Sequence, residues 1–292
     1  MIDVRRRQII FRQVAWAACL LFWLNPLGAQ QKSNRLLPRY LTVGTPDQEA
    51  GGKRLAAWRA QGIGGDYFLS FDLETLPRRG PGRTIPGQWW GTQTTMGPLS
   101  RVHLTVAEGK FERWLVQNGV EPRVWRQSAE ETSANLLPID AWFNPIAGTN
   151  LSAFDLEMPF TYWTDWTYEG VTRVRGRAAH AFLLYAPADL IAAHPDIAGV
   201  RVFLDDQFDA LLQATQLNAD EKPIKTMTVL DLKRLNDQWI VKSVEVRDEV
   251  TRDKTRFVVN GAKLGLSFTS GLFAPAALGQ PVKAPDGIES FQ

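Results

Sequence analysis

At 292 residues, with 45% hydrophobic and 22% charged side chains, the chain is long enough to bury a large core and too apolar to be generally disordered. A formal charge of +2, lower still once an export leader is discounted, excludes the basic excess that nucleic-acid binding needs. The single cysteine, Cys19, lies in that leader, so the remainder has neither a disulfide nor a thiolate metal site.

The first stretch, MIDVRRRQIIFRQVAWAACLLFWLNPLGAQ, reads as a secretory signal. Arg5, Arg6 and Arg7 open it, Val14 to Leu24 is an unbroken apolar run, Asn25 and Pro26 break the run, and Gly28 and Ala29 are the small residues of a cleavage site near Ala29. The run is roughly half of the ~20 residues a spanning helix requires, so no retained transmembrane helix is expected. Arg6 and Arg7 also resemble a twin-arginine signal, but the flanking residues favour the general export route. Trp16 ahead of Cys19, and the apolar Leu-Leu-Phe-Trp-Leu around and after it, do not suit lipid attachment. Removing residues 1–29 takes away four Arg and one Asp, leaving 29 basic against 30 acidic side chains.

Residues 30–44 read as a flexible leader, 45–278 as a single domain and 279–292 as a tail. The domain opens with a helix signal: Thr45 as N-cap, Pro46 at the first position, Gln48 closing a capping box, Leu55 and Trp58 on one face, and Gly62 as the stop. Period-two alternation then takes over. In DYFLSFDLETL, Tyr67, Leu69, Phe71 and Leu73 point one way and Asp66, Ser70, Asp72 and Glu74 the other; Phe68 alone breaks the rule. PRRGPGR is a turn, followed by further alternating segments and a hairpin turn at Glu108–Gly109.

Residues 133–165 lose the alternation and read as irregular structure with one or two short helical turns. The segment closes on EMPFTYWTDWTYEG, which crowds Phe160, Tyr162, Trp163, Trp166 and Tyr168 together. Rings of this size belong against apolar surface. The second half alternates regularly, with turns at Gly176 and Asn236–Asp237. About eleven or twelve strand segments joined by short turns, with no βα repeat, predict a mainly β (α+β) fold in which neighbouring strands pair antiparallel. An antiparallel sheet of that size curls rather than lying flat.

Catalytic and metal-binding patterns are weak. His103, His180 and His194 are scattered without ligand spacing. Gly62–Ile63–Gly64–Gly65 leads from helix to strand, the reverse of a phosphate cradle. Ser267 and Ser270 lack a nearby His. Asp205–Asp206 reads as a solvated turn. Arg78, Arg79 and Arg83 read as a solvated hairpin tip. Asp155, Glu157 and Asp165 lie among aromatics, as in sugar-cleaving sites, and leave a glycan hydrolase as one alternative.

DLEMPFTYWTDWTYEGVTRVRGRAAHAFLLYAP resembles exported outer-membrane lipoprotein-sorting proteins, whose motif has an acidic-apolar lead, Met-Pro-Phe, a Trp, Tyr-Glu-Gly and Gly-Arg-x-x-His. The resemblance runs from about Ala57 to Leu278 and includes GDYFLSFDLETLPRRG. It implies the unclosed antiparallel β-barrel with a helical lid of the periplasmic lipoprotein carrier and its outer-membrane receptor, the LolA/LolB-like superfamily. It further implies a periplasmic location, no enzymatic activity, no cofactor and no metal. A lipid, or the acyl chain of a lipoprotein, would be the ligand, with a membrane protein as possible donor or acceptor. Tyr67, Leu69, Phe71 and Leu73 of the barrel wall, and Met158, Phe160 and Trp163 of the lid, would contact it. A second alternative is an envelope protein–protein adaptor with the same fold and a filled core.

Overall fold

A computed structural model describes residues 45–291. Helix α1 (Gln48–Arg59) precedes β1 (Asp66–Leu76), β2 (Thr84–Thr94), β3 (Gly97–Ala107), β4 (Lys110–Gln117), β5 (Arg123–Ser128) and the two-residue β6 (Asn135–Leu136). A segment containing the short helix α2 (Ala153–Glu157) leads to β7 (Trp166–Val174), β8 (Arg177–Tyr185), α3 (Ala188–Ala193), β9 (Gly199–Asp205) and β10 (Leu211–Leu217). The long strands β11 (Pro223–Leu235), β12 (Gln238–Asp248) and β13 (Lys254–Leu266) follow, and β14 (Glu289–Ser290) ends the chain.

One sheet holds all fourteen strands, in the order β6-β5-β4-β3-β2-β1-β13-β12-β11-β10-β9-β8-β7, with β14 on β13 and every pair antiparallel. The class is the expected mainly β, unclosed antiparallel one. The expected count of about eleven strands falls short partly because β6 and β14, at two residues each, are too short to alternate. The turns follow their chemistry: Gly109 (φ 67°) and Asn236 (φ 52°) adopt the left-handed conformation that two-residue hairpins require.

The strand order dictates the rest. β6 and β7 are the two edges of the sheet yet are neighbours in sequence. Residues 137–165 must therefore traverse one whole face. That face, here the inner one, also receives Leu55 and Trp58 of α1.

Helix α1 starts two residues later than the sequence implies. Its N-cap is Asp47, not Thr45, and the Asp47 carboxylate accepts the N–H groups of Glu49 (3.0 Å) and Ala50 (3.2 Å). A carboxylate at the positive end of a helix is the stronger cap. Gln48 closes no capping box; its side chain docks on β7, donating to the Tyr168 carbonyl (2.8 Å) and accepting the Tyr168 N–H (3.0 Å). The helix ends at Arg59, ahead of Gly62. A Cβ on Gly51 would lie 2.6 Å from Tyr168 Cγ. Gly51→Ala is thus expected to cost about 1–3 kcal/mol through overpacking, read as a lowered thermal midpoint.

The outer face of β1–β5 is covered by the C-terminal segment. Phe273 and Leu278 are buried against Phe68, Trp90 and Leu115, so Phe68, the residue that breaks the alternation of β1, is apolar because this face too is covered. Buried Arg101 donates to the carbonyls of Leu272 (2.9 Å), Ala277 (3.1 Å) and Leu278 (3.1 Å), and Arg113 donates to that of Gly279. Beyond it, β14 pairs with β13, and Phe291 packs with Leu69, Leu235, Ile240, Val259 and Ala262. His103 lies directly opposite Arg113. Burial, then Arg113 and Arg101, push its pKa from 6.5 down to about 4. The folded state thus holds His103 neutral where the unfolded chain takes up a proton. Stability fully present above about pH 6.5 is lost as the pH falls toward 4, and His103→Gln is expected to flatten this acid limb in melts recorded against pH.

Candidate functional site

Residues 137–165 form a lid. It contains three single-turn 3-10 segments (Ile139–Phe143, Ile146–Gly148 and Pro159–Tyr162) and α2. Pro138, Pro145 and Pro159 precede or open these turns, which keeps the segment from continuing as a long helix. Between α2 and the last turn, Met158 takes the left-handed conformation (φ 46°), reversing the chain so that α2 and Phe160 both face inward.

The lid's inward surface is aromatic. Phe154 stacks on Phe143 (centroids 4.6 Å apart) and lies 6.0 Å from Phe160 and 6.2 Å from Trp163, which are 6.3 Å from each other. With Trp142, Ile146 and Leu151 they join one buried cluster. To it β1–β5 contribute Phe71, Leu73, Ile85, Val102, Leu104 and Trp114, and β8 and β9 contribute Phe182, Leu184, Val200, Val202 and Leu204. Each large side chain buried here contributes about 1.5–3 kcal/mol.

The seven residues singled out from sequence divide between two places. Phe71, Leu73, Phe160 and Trp163 share the lid cluster, and Met158 packs against it. Leu69, with Tyr67 packed alongside, belongs to the neighbouring cluster around Val259, Ala262 and Phe291. Strand length explains the division: Tyr67 and Leu73 stand about 20 Å apart at the strand rise, farther than the lid's rings reach. Trp89 and Phe257 touch both clusters and join them. Trp142, Ile146 and Phe154 were not among the expected contacts, because single-turn segments carry no apolar period long enough to read.

The lid is pinned by side chains rather than by a ladder. Asp155, 3% exposed, forms a capping box with Ser152 and also accepts from Lys225 Nζ of β11 (2.9 Å) and Gln216 Nε2 of β10 (2.7 Å). The Asn150 N–H donates to Thr255 Oγ1 of β13 (2.9 Å), the Ala147 N–H to Glu112 of β4 (3.3 Å), and Asn118 Nδ2 to the Glu157 carbonyl. Arg83, exposed as expected, also donates to the Ala147 carbonyl, and Arg59 of α1 to that of Trp163. Near this rim, a hollow of about 360 Å³ is lined by Arg83, Gly148, Asn150 and Lys254. Glu157 is the exception among the polar groups. It is 2% exposed, neither carboxylate oxygen has a hydrogen-bond partner, and burial pushes its pKa up to about 9.

His180 lies within β8 as the centre of a relay, its Nδ1 2.7 Å from Tyr168 Oη and its Nε2 2.7 Å from Asp206 Oδ1. Of the Asp205–Asp206 pair, Asp206 does lie exposed in a turn, whereas Asp205 is buried, pairs with Arg177 (2.7 Å) and accepts the N–H groups of Gln207 and Phe208.

No family model matches the sequence, and no curated protein does. Solved structures do. A DUF1329 family protein from Desulfovibrio piger superposes with a TM-score of 0.69 at 13% identity, over 80% of this chain and 100% of that one. An outer-membrane lipoprotein-sorting protein domain from Vibrio parahaemolyticus gives 0.66 at 13% identity, over 79% and 97%. A LolA superfamily protein from Nitrosomonas europaea gives 0.58 at 10% identity, over 76% and 96%. The fold is LolA-like. At these identities the likeness is one of fold alone. A hydrolytic pair does not assemble in the lid or on the inner face. Asp155 and Glu157 are two residues apart on α2 and so do not face each other, Asp155 is engaged by Lys225, and Asp165 is exposed at the lid's last position.

Proposed function

We propose that this LolA-like protein is an exported, periplasmic binder of an apolar chain, either a lipid or the acyl chain of a lipoprotein, with no enzymatic step of its own. The observation that carries this reading is the construction of the lid. It spans the sheet from edge to edge and meets it through side chains, with an aromatic surface lying on a mixed aliphatic and aromatic one. An acyl chain offers the same chemistry as Phe160 or Trp163 and can take their place when the lid lifts. Tyr67, Leu69, Phe71, Leu73, Met158, Phe160 and Trp163 are the proposed contacts. The proposed leader ending near Ala29 lies outside the described residues; within them no helix is long and apolar enough to cross a membrane.

One observation favours a second reading. In this structure Phe71, Leu73, Phe160 and Trp163 are buried, so the lid already fills the inner face, as in an adaptor with a solid core. Native mass spectrometry of the purified protein separates the two. Carriage predicts a lipid-sized mass that organic extraction removes and that a fatty acid restores. A single unadorned mass before and after, with no uptake of a fluorescent fatty acid, selects the adaptor.

A further inference from the structure

The two ends of the sheet differ in what their turns carry. The strand registers place the β2–β3, β4–β5, β7–β8, β9–β10 and β11–β12 connections together at one end, beside the start of β1. Four of the five hold a large apolar side chain out to solvent, in or beside the turn: Met96 (47% exposed), Val120 (85%), Phe208 (63%) and Trp239 (63%). The fifth, β7–β8, carries the exposed Arg173 and Arg175, and neither has an ion pair among the described residues. Of the acids at this end, Asp206 and Asp209 share Arg54, Asp237 pairs with Arg234 and Glu121 with Arg123, and Asp66 is held by Thr92 and the Phe268 N–H. The opposite end carries fewer exposed large apolar side chains, Val250 among Glu249, Arg252 and Asp253, and Ile191 of α3, together with the exposed Arg78 and Arg79 of the β1–β2 turn.

We propose that this end is a membrane-docking rim that seats on an anionic lipid bilayer. Apolar side chains on separate turns do not make the contiguous apolar patch of a protein interface. They suit insertion one by one among headgroups, where Trp and Phe settle at the apolar boundary. Arg173 and Arg175, exposed and free of ion pairs among the described residues, supply local attraction to negative lipid. The proposal does not depend on an acyl chain inside the barrel, since it concerns only the outside of the turns.

Vesicle flotation tests it. The purified protein is expected to float with vesicles of phosphatidylglycerol and phosphatidylethanolamine and to remain largely free with phosphatidylcholine alone. Phe208→Ser combined with Trp239→Ser is expected to weaken partition at least about tenfold. Arg173→Glu and Arg175→Glu together should cost about fivefold per residue on anionic vesicles and abolish the preference for them. Val250→Ser, at the far end, should change nothing. All of these sites are exposed, and an unchanged melting temperature confirms that each variant folds. The proposal is overturned if the protein stays free with both vesicle types, if the Phe208/Trp239 variant floats like the parent, or if Val250→Ser weakens flotation equally. It is also overturned if Phe208 and Trp239 prove to mediate self-association, seen as a concentration-dependent dimer that the double variant loses.

Discussion

Asp155→Ala is expected to lower the stability of the protein by about 3–5 kcal/mol, the scale for removing one partner from a buried charged network. The carboxylate holds Lys225 Nζ, Gln216 Nε2, and the N–H and hydroxyl of Ser152, so one substitution strands three elements at once. Ser152 is fully buried and Gln216 nearly so; their orphaned donors find no water. Lys225→Met should cost less, about 1–3 kcal/mol, because Asp155 keeps its other three donors. Asp155→Leu with Lys225→Met should recover part of the loss by leaving no charge unpaired. Chemical denaturation of the three variants gives the order directly. If Asp155→Ala costs no more than Lys225→Met, the lid is not held at this point.

The second large effect is a pH dependence. Glu157, with its folded pKa pushed up to about 9 against an ordinary 4.5, is protonated in the native state at neutral pH while the unfolded chain is ionised. The native state therefore binds the extra proton between those values, and the free energy of unfolding falls as pH rises through the window, by up to about 1.4 kcal/mol per pH unit. Below about pH 6.5 the opposite slope from His103 overlaps it. The clean window is pH 6.5 to 9, where the thermal midpoint of the parent is expected to decline. Glu157→Gln should remove that decline. Glu157→Leu should remove it and also raise stability at pH 8 by about 2 kcal/mol, because no carboxyl is left without partners. A parent midpoint flat from pH 6.5 to 9 would show that the Glu157 carboxyl is solvated rather than sealed under the lid.

The fold class could be read from sequence because antiparallel sheets advertise themselves twice, in alternation and in turns. Leu69, Phe71 and Leu73 alternate with polar residues along β1, and Glu108–Gly109 and Asn236–Asp237 close hairpins where left-handed conformations are cheap. The loss of period between 133 and 165 marked an irregular segment, and only the family resemblance implied that it was a lid. What it covers was visible only in part. Phe71, Leu73, Phe160 and Trp163 do meet, but Tyr67 and Leu69 face a different cluster, because alternation gives the face of a strand and not the position along it. The C-terminal segment carries no period at all. It packs on the outer face through backbone carbonyls held by Arg101 and Arg113, and nothing in those two arginines marks them as buried. The His180 relay was hidden for a similar reason: Tyr168 of β7 and Asp206 of the turn after β9 reach it from 12 and 26 residues away in sequence.

The central claim is that an apolar chain can lie between the lid and the inner face of the sheet. A fatty acid bearing a diazirine at its terminal carbon, cross-linked by light to the purified protein and mapped by peptide mass spectrometry, locates such a chain directly. The account predicts adducts on β1 around Phe71 and Leu73 and on the lid between Phe154 and Trp163. Adducts confined to Phe208, Trp239 and the other exposed turns, or none above the level of a non-binding control protein, would contradict it.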